Sequence, residues 1–356
     1  MSDSSQESTG AAGSWASRRK STVRKAVGTG HESLIQSSLW EGGKTLPFVI
    51  QPALSGVDLA AWAGRGRDFI ETSLMKHGAI LFRGFKLGAL ADFESFIGAV
   101  SGELLEYKER SSPRSQVQGR VYTSTDHPPD QRIFLHNENS YQRSWPLRIF
   151  FYCATAPDEG GETPIADCRG VYKRINPSIR DRFQEKKWMY VRNFHKGFGL
   201  DWQTVFQTTD RSEVEEHCGK RGIAAEWLPD GRLRTRAIRN AISRHPRTGE
   251  FVWFNHATFF NVTTLEASVR QALLREFQEE DLPTNTYYGD GSRIEPEVLE
   301  HLREAYRQET VSFPWKQGDL MMLDNMLAAH GRGAYAGPRK IVVAMSELYE
   351  GDATAE

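Results

Sequence analysis

The sequence predicts a mostly β protein with flanking helices, built on an antiparallel double-sheet core of the jelly-roll type, also called a double-stranded β-helix. Short apolar runs recur along the chain, and turns rich in Gly and Pro separate them. Amphipathic helical stretches frame and interrupt these runs. Many short strands joined by such turns are typical of sandwiches and barrels, whereas regular alternation of strands and helices would indicate a parallel sheet.

The first part of the chain carries helices on both sides of a strand. Apolar residues recur at helical spacing over 57–75 and again over 91–100, which predicts two helices. Between them the apolar run 78–85, bounded by glycine, is typical of a buried strand. The polar segment 101–131 is predicted to be a long loop, and loops of that length often act as lids or binding loops.

The later elements are mainly strands. Helices are predicted at 177–187, 211–221, 264–279 and 295–307, and strands at 132–136, 147–153, 232–239, 251–255, 310–313, 319–324 and 339–346. Residues 170–230 are interpreted as a large helical insertion rather than sheet. One domain over 41–350 that contains this insertion fits better than two domains. Residues 1–40, rich in Ser, Gly and Ala near their start, are predicted to be a disordered tail.

Bulk composition excludes several classes of protein. Lys and Arg number 45 against 46 Asp and Glu, and this balance argues against a nucleic-acid partner. No apolar run approaches the roughly 18 residues that a membrane span needs. The three cysteines, Cys153, Cys168 and Cys218, are sparse and widely spaced. That pattern is typical of a reducing compartment, so we expect a cytoplasmic protein.

The stretch FLHNENSY, residues 134–141, carries a possible metal site. His136 and Glu138 stand two positions apart in a predicted strand, so both side chains lie on the same side of it. His330 follows the apolar run 320–323, is predicted to lie at the edge of a strand, and supplies a possible third ligand. Two histidines and one carboxylate form the facial triad of non-haem Fe(II) oxygenases.

These motifs resemble the Fe(II)- and 2-oxoglutarate-dependent dioxygenases of the taurine dioxygenase type. The resemblance covers about residues 46–346 and rests on His136-x-Glu138, GGET at 160–163, His330 and Arg339, in that order. It implies that the triad binds Fe(II), the metal at which dioxygen reacts. It also implies that Thr163 and Arg339 hold the far carboxylate of 2-oxoglutarate.

The position of the arginine leaves alternatives open. Arg339 stands nine residues after His330, a shorter spacing than in taurine dioxygenase. Arg332 and Lys340 are therefore rival candidates, although a planar guanidinium at Arg339 suits bidentate carboxylate binding.

Other stretches resemble the subgroup of the syringomycin-pathway aspartyl hydroxylase: HNENSYQRSWP, WFNHATFF and HGRGAYAGPRKIVVAM. Glutamate at position 138 replaces the more usual aspartate of the family, as it does in clavaminate synthase and some amino-acid hydroxylases. The resemblance implies hydroxylation of an unactivated C–H bond of an amino acid, free or tethered to a peptidyl carrier protein, in natural-product biosynthesis. Halogenating relatives replace the carboxylate ligand with a small residue, so Glu138 argues against halogenation.

Substrate contacts are predicted at three further residues. Trp253 and Asn255 alternate with Phe254, so they share one face, which we expect to line the pocket. Arg110 in the predicted lid is a candidate for holding an acidic group. His127 and His256 are interpreted as packing or surface residues.

Two functions of other classes remain open at this point. Two histidines and a glutamate also bind zinc in hydrolases. Alternatively, a jelly-roll module without catalytic activity could bind a small ligand or a carrier domain. Arg339 and Thr163 favour the dioxygenase, because a hydrolase has no need of an anchor for a dicarboxylate.

Overall fold

A computed structural model describes residues 31–40, 43–105, 116–124, 127–196 and 199–351. The strands, in chain order, are β1 Ile35–Leu39, β2 Phe48–Pro52, β3 Ala79–Phe82, β4 Gln116–Gln118, β5 Val121–Thr123, β6 Ile133–His136, β7 Ser144–Thr155, β8 Glu159–Gly160, β9 Ile165–Asp167, β10 Trp188–Phe194, β11 Ile223–Trp227, β12 Leu233–Arg239, β13 Ile242–Arg244, β14 Phe251–Trp253, β15 Thr284–Tyr288, β16 Thr310–Val311, β17 Leu320–Asp324, β18 Ala328–Arg332, β19 Tyr335–Ala336 and β20 Lys340–Glu350. The α-helices are α1 Leu59–Arg65, α2 Arg67–His77, α3 Leu90–Val100, α4 Cys168–Arg174, α5 Pro177–Lys186, α6 Trp202–Phe206, α7 Arg211–Lys220, α8 Ala267–Glu276 and α9 Pro296–Glu309.

The largest sheet has eight strands in the order β1-β2-β3-β17-β7-β20-β5-β4. Its neighbouring strands run antiparallel, except for the parallel pair β2 and β3. Strand β7 lies near the centre and is almost wholly buried along its length. Apart from Arg148, its residues 145–153 are all apolar, because both faces of the sheet are covered.

Alternate residues of β7 face two different cores. Phe150 and Tyr152 pack with helices α1 to α3 on one face of the large sheet. Ile149 and Phe151 point to the other face, where they join residues of a second sheet with the order β16-β9-β18-β6. The period of two along β7 thus decides which core each side chain enters. The second sheet carries both histidines of the predicted triad.

A third sheet, with the order β11-β12-β10-β15, contradicts the prediction that 170–230 is a helical insertion rather than sheet. Strands β10 and β11 lie inside that segment, together with helices α5, α6 and α7. β10 pairs antiparallel with β12 and β15, which lie far along the chain. The predicted helices 177–187 and 211–221 are present as α5 and α7, and the two strands that were not predicted lie outside them.

Four other predictions need correction. Residues 35–39, assigned to a disordered tail, form β1 and pair with β2. The predicted helix 57–75 is two helices, because Gly66 ends α1 and precedes α2. In the predicted loop 101–131, strands β4 and β5 extend the large sheet, and β5 pairs with β20. His330 lies in the middle of β18 and not at the edge of a strand.

Four predicted strands are confirmed, with ends that differ from the prediction by at most three residues. They are 132–136, 147–153, 232–239 and 319–324, which correspond to β6, β7, β12 and β17. In the part of the chain that the structure describes, no helix is both long and apolar enough to cross a membrane.

Candidate active site

The structure brings His136, Glu138 and His330 together, and we call them the triad. One ligand atom from each lies within 4.8 Å of the other two. β6 and β18 are antiparallel neighbours, and His136 is the register partner of His330. Glu138 lies in the turn after β6, because the strand ends at His136, and its Oε2 is 3.9 Å from His330 Nε2. The sequence predicted that His136 and Glu138 would lie in one strand. In the structure His136 ends the strand and Glu138 lies in the turn that follows, and the two side chains still lie close together.

The hydrogen bonding of His136 suits a metal ligand. Its Nδ1 lies 2.9 Å from the carbonyl oxygen of Phe134. A carbonyl only accepts, so Nδ1 carries the proton and Nε2 carries the lone pair. Metal-binding histidines commonly donate their other N–H in this way. Two imidazoles and one carboxylate on one side of a cavity are the donor set that Fe(II) oxygenases use.

Glu138 is held through its backbone by Asn325, which is fully buried. Asn325 Oδ1 accepts from the Glu138 N–H at 2.8 Å. Its Nδ2 donates to the carbonyl oxygens of Glu138 and Pro146, each at 2.9 Å. One amide side chain thus satisfies three backbone groups around the turn, as a neighbouring strand would do. Asn325 fixes the position from which the Glu138 carboxylate projects.

The turn that carries Asn325 is itself fixed by Asp324. One carboxylate oxygen of Asp324 accepts from the N–H groups of Met326 and Leu327, both at 3.0 Å. The other lies 2.5 Å from Arg148 Nη1 and 3.1 Å from His245 Nε2. Asp324 and Asn325 were not predicted from the sequence, although Asp-Asn between two apolar runs is a typical turn signal.

A cavity of about 450 Å³, which we call the triad cavity, opens beside these residues. Thr163 and Arg339 line it together with the triad, as do His256, Phe259 and Phe260. The structure thus brings five polar residues, from separate parts of the chain, around one space.

The three candidate cations for the co-substrate differ in their partners. Arg339 is half-buried, donates from Nε to Gly161 O at 2.9 Å, and lies 3.2 Å from Ser124 Oγ through Nη1. Burial, aided by the nearby Arg332, lowers the pKa of Arg339 to about 10, so it stays cationic at neutral pH. Arg332 donates to the carbonyl oxygens of His127, Pro128 and Gln131 and so ties down that loop. Lys340 is exposed and does not line the cavity among the residues described.

Thr163 is buried, and its hydroxyl oxygen accepts a hydrogen bond from Trp315 Nε1 at 3.1 Å. An indole N–H can only donate, so the hydroxyl proton of Thr163 is left to donate elsewhere. A hydroxyl in this arrangement can point its proton at an anion in the triad cavity.

The structure does not bring the predicted substrate contacts Trp253 and Asn255 to the triad cavity. Trp253 is fully buried and packs edge-on against Phe183. Asn255 donates to Ala241 O and accepts from Ala257 N, which stabilises the turn after β14. The segment leaves the strand at Trp253, so the predicted alternation does not continue. Arg110 lies outside the described residues.

His256 lines the triad cavity instead, although the sequence suggested only a packing role. Its Nδ1 lies 2.6 Å from Ser140 Oγ, and its ring centroid is 5.7 Å from that of His136. Burial, with a smaller effect of His136, lowers the pKa of His256 well below 6.5, so the ring is neutral. His127 is exposed at the cavity edge.

Comparison with protein families gives a match over residues 43–345, to the family described as taurine catabolism dioxygenase TauD, TfdA family. The chain belongs to this family. A relative, the dapdiamide synthesis protein DdaC of Enterobacter agglomerans, is 42% identical over 276 residues, which are 78% of this chain and 84% of that protein. A clavaminate synthase-like protein of Arabidopsis thaliana is 29% identical over 324 residues, 85% of this chain and 94% of that one.

Solved structures show the same fold at low sequence identity. PvcB from Pseudomonas aeruginosa superposes with a TM-score of 0.53 at 16% identity, covering 87% of this chain and 90% of its own. PvcB is described as an Fe, alpha-ketoglutarate dependent oxygenase from an isonitrile synthetic pathway.

The chain is thus a dioxygenase that uses Fe(II), 2-oxoglutarate and dioxygen. The family and cofactors predicted from the sequence are confirmed, and the zinc hydrolase and the module without catalytic activity are set aside. The metal supplies the activation of dioxygen, while the protein supplies binding and orientation.

Proposed function

We propose that this dioxygenase hydroxylates an unactivated C–H bond of an amino acid or aminoacyl group, free or tethered to a peptidyl carrier protein. The observation that carries the proposal is the convergence of the triad on a cavity that also holds one buried hydroxyl and one half-buried guanidinium. Similarity to a dapdiamide synthesis protein supports a small-molecule substrate in natural-product biosynthesis. The retained carboxylate at position 138 supports hydroxylation over halogenation.

In this proposal His136, Glu138 and His330 hold Fe(II). Arg339 and Thr163 bind the far carboxylate of 2-oxoglutarate. The arginine has donors in a planar fork, and its Nη2 makes no hydrogen bond to the residues described around it, which supports bidentate binding. Arg332 is a weaker candidate because three carbonyl oxygens already engage its Nη groups.

The other wall of the triad cavity is aromatic, with Tyr141, Phe259 and Phe260 beside the neutral His256. We assign this wall to the substrate. Apolar rings exclude water from the reacting carbon, and the imidazole of His256 offers one polar contact.

We also propose that the eight-stranded sheet and the β16-β9-β18-β6 sheet form a double-stranded β-helix. The apolar cluster shared by β7, β9 and β18 supports this arrangement. Part of 101–131 and of 170–230 would cover the site in a single domain over 41–350. Three buried free cysteines support a cytoplasmic location.

The test is an anaerobic titration of metal-free protein, first with Fe(II) and then with 2-oxoglutarate, followed by visible absorbance. We expect a weak charge-transfer band that requires both components and is absent in His136→Ala. Free and carrier-bound amino acids would then be screened for substrate-dependent formation of succinate. Tight binding of metal with no band on adding 2-oxoglutarate would overturn the assigned roles of Arg339 and Thr163.

A further inference from the structure

A second cavity, of about 220 Å³, lies against one face of the β11-β12-β10-β15 sheet. Helices α6 and α7 and the segment after Tyr141 close its other sides. Four arginines line it: Arg143, Arg192, Arg221 and Arg239. We call it the basic cavity, because no Asp or Glu is found among its described lining residues.

The positive charge is local. The whole chain has a net charge of −1, yet an adjacent cavity of about 420 Å³ shares Arg143 and Arg239 and adds Lys187 and Arg244, again without a lining acid. In contrast, Glu138 and Glu266 line the triad cavity. A concave surface of one charge sign concentrates ligands of the opposite sign.

Two of the arginines have structural or shared roles. Arg239 donates from Nε to Tyr141 O, from Nη1 to Gly222 O and from Nη2 to Arg221 O. It therefore ties the segment at Tyr141 to the end of α7. Arg221 contacts a neighbouring histidine: its Nη1 lies 3.3 Å from His217 Nδ1.

Arg192 and Arg143 differ from these two in the contacts of their guanidinium groups. Arg192 lies between Tyr190 and Phe194 on β10, and its guanidinium carbon is 4.6 Å from the centroid of the Phe194 ring. Arg143 packs over Gly222, where a Cβ would come within 2.3 Å of its Nη2. Over the ranges that the structure describes, neither arginine has an ion pair or a hydrogen bond through its guanidinium. Guanidinium groups without partners beside a cavity suit bidentate binding of a carboxylate or a phosphate.

The basic cavity adjoins the triad cavity. Tyr141 lines both of them. Tyr190, from the basic cavity, stacks on Phe260, from the triad cavity, with centroids 4.4 Å apart. Apolar residues such as Phe206 complete the basic cavity, so it suits an organic anion with an apolar body better than an inorganic ion.

We propose that the basic cavity binds an anionic group, a carboxylate or a phosphate ester, at the far end of the substrate whose reacting carbon lies in the triad cavity. Arg192 and Arg143 bind the anion, and the aromatic residues contact the chain that leads to it. This inference rests on the proposed function, since that function defines the triad cavity as the site of reaction.

The test uses the full chain loaded with Fe(II) and saturating 2-oxoglutarate under anaerobic conditions, so that Arg339 is already occupied. Benzoate, phenyl phosphate and uncharged benzamide are titrated separately by calorimetry at constant ionic strength. We expect saturable binding of at least one anion and none of benzamide. Tighter binding of phenyl phosphate would indicate a phosphate-bearing substrate, and tighter binding of benzoate a carboxylate.

Three variants locate the binding. Arg192→Gln and Arg143→Gln should each raise the Kd by about tenfold, because each removes a charge-assisted hydrogen bond. Arg236→Gln is the matched control: it removes the same charge from the opposite face of β12, where Arg236 pairs with Glu226 at 2.7 Å. The Kd should then change by less than about twofold, since exposed charges act weakly at a distance.

Absence of saturable binding, equal binding of benzamide, or equal weakening by Arg236→Gln would each overturn the inference. The charge-transfer band of Fe(II) with 2-oxoglutarate is recorded on the same samples. A normal band without anion binding refutes the basic cavity alone, whereas a missing band refutes the proposed function. Arg192→Lys keeps the charge, and its partial recovery of binding would confirm that loss of folding is not the cause.

Discussion

Replacement of Asn325 by alanine tests how the carboxylate of the triad is held. The change removes a side chain that makes three buried hydrogen bonds, to Glu138 N, Glu138 O and Pro146 O. Alanine can make none of them, and the site is fully buried, so each of the three backbone groups loses this hydrogen bond. The turn that carries Glu138 should then move.

The magnitude follows from these three groups. An unsatisfied buried polar group costs about 1–3 kcal/mol, so Asn325→Ala should lower the free energy of unfolding by about 3–9 kcal/mol. That is a large part of the roughly 5–15 kcal/mol that stabilises a typical domain. Replacing a residue that orients a metal ligand typically lowers the metal affinity by about 10–100-fold, and we expect the affinity for Fe(II) to fall within that range.

Two assays separate stability from function. Urea denaturation of the metal-free protein gives the free energy of unfolding, and anaerobic Fe(II) titration at saturating 2-oxoglutarate gives the metal affinity. Asn255→Ala is the matched control, because Asn255 is also buried and also bonds only to backbone groups, but away from Glu138. It should lower stability and leave Fe(II) affinity within about twofold, because no metal-orienting contact is lost. Equal Fe(II) affinities of the two variants would refute the role of Asn325 in holding Glu138.

Three further predictions concern the co-substrate and the effect of pH. Arg339→Gln should raise the Kd for 2-oxoglutarate by about 10–100-fold, because a charge-assisted pair is worth about 1.5–3 kcal/mol. Lys340 is exposed, so Lys340→Gln should have little effect on this Kd. The reverse result would assign the carboxylate of 2-oxoglutarate to Lys340. Thr163→Val should raise the same Kd by about tenfold, and Thr163→Ser should keep it close to that of the unchanged protein. Both values are measured from the charge-transfer band. An unchanged Kd in the valine variant would exclude the hydroxyl as a donor to 2-oxoglutarate. Burial lowers the pKa of His77 below its ordinary 6.5, so the folded chain binds a proton less readily than the unfolded one. Stability should therefore fall as the pH drops below about 6.5, by at most about 1.4 kcal/mol per pH unit from this residue. His77→Phe should remove that part of the slope in urea denaturation between about pH 5 and pH 8, and an unchanged slope would contradict the assignment.

The sequence by itself determined the chemistry of the site. A histidine and a glutamate two positions apart, a second histidine after an apolar run and an arginine before the next one are local patterns. In the structure His136 ends β6 and Glu138 lies in the turn that follows, while His330 lies in β18 and Arg339 directly precedes β20. The alternation of β7 likewise encodes which side chains enter which core, because the period of a strand is a local property. For the same reason β6, β7, β12 and β17 could be predicted from composition and spacing.

Only the tertiary structure decided which residues support that chemistry. Asn325 reaches Glu138 across 187 residues of sequence, and no local pattern encodes that contact. Trp253 and Asn255 fit an alternating strand, but β14 ends at Trp253, so the chain turns and His256 faces the cavity in place of Asn255. β10 lies inside a sheet because it pairs with β12 and β15, which are far from it in the sequence. Register between distant strands is set by the packing of whole faces, and this information exists only once the chain has folded.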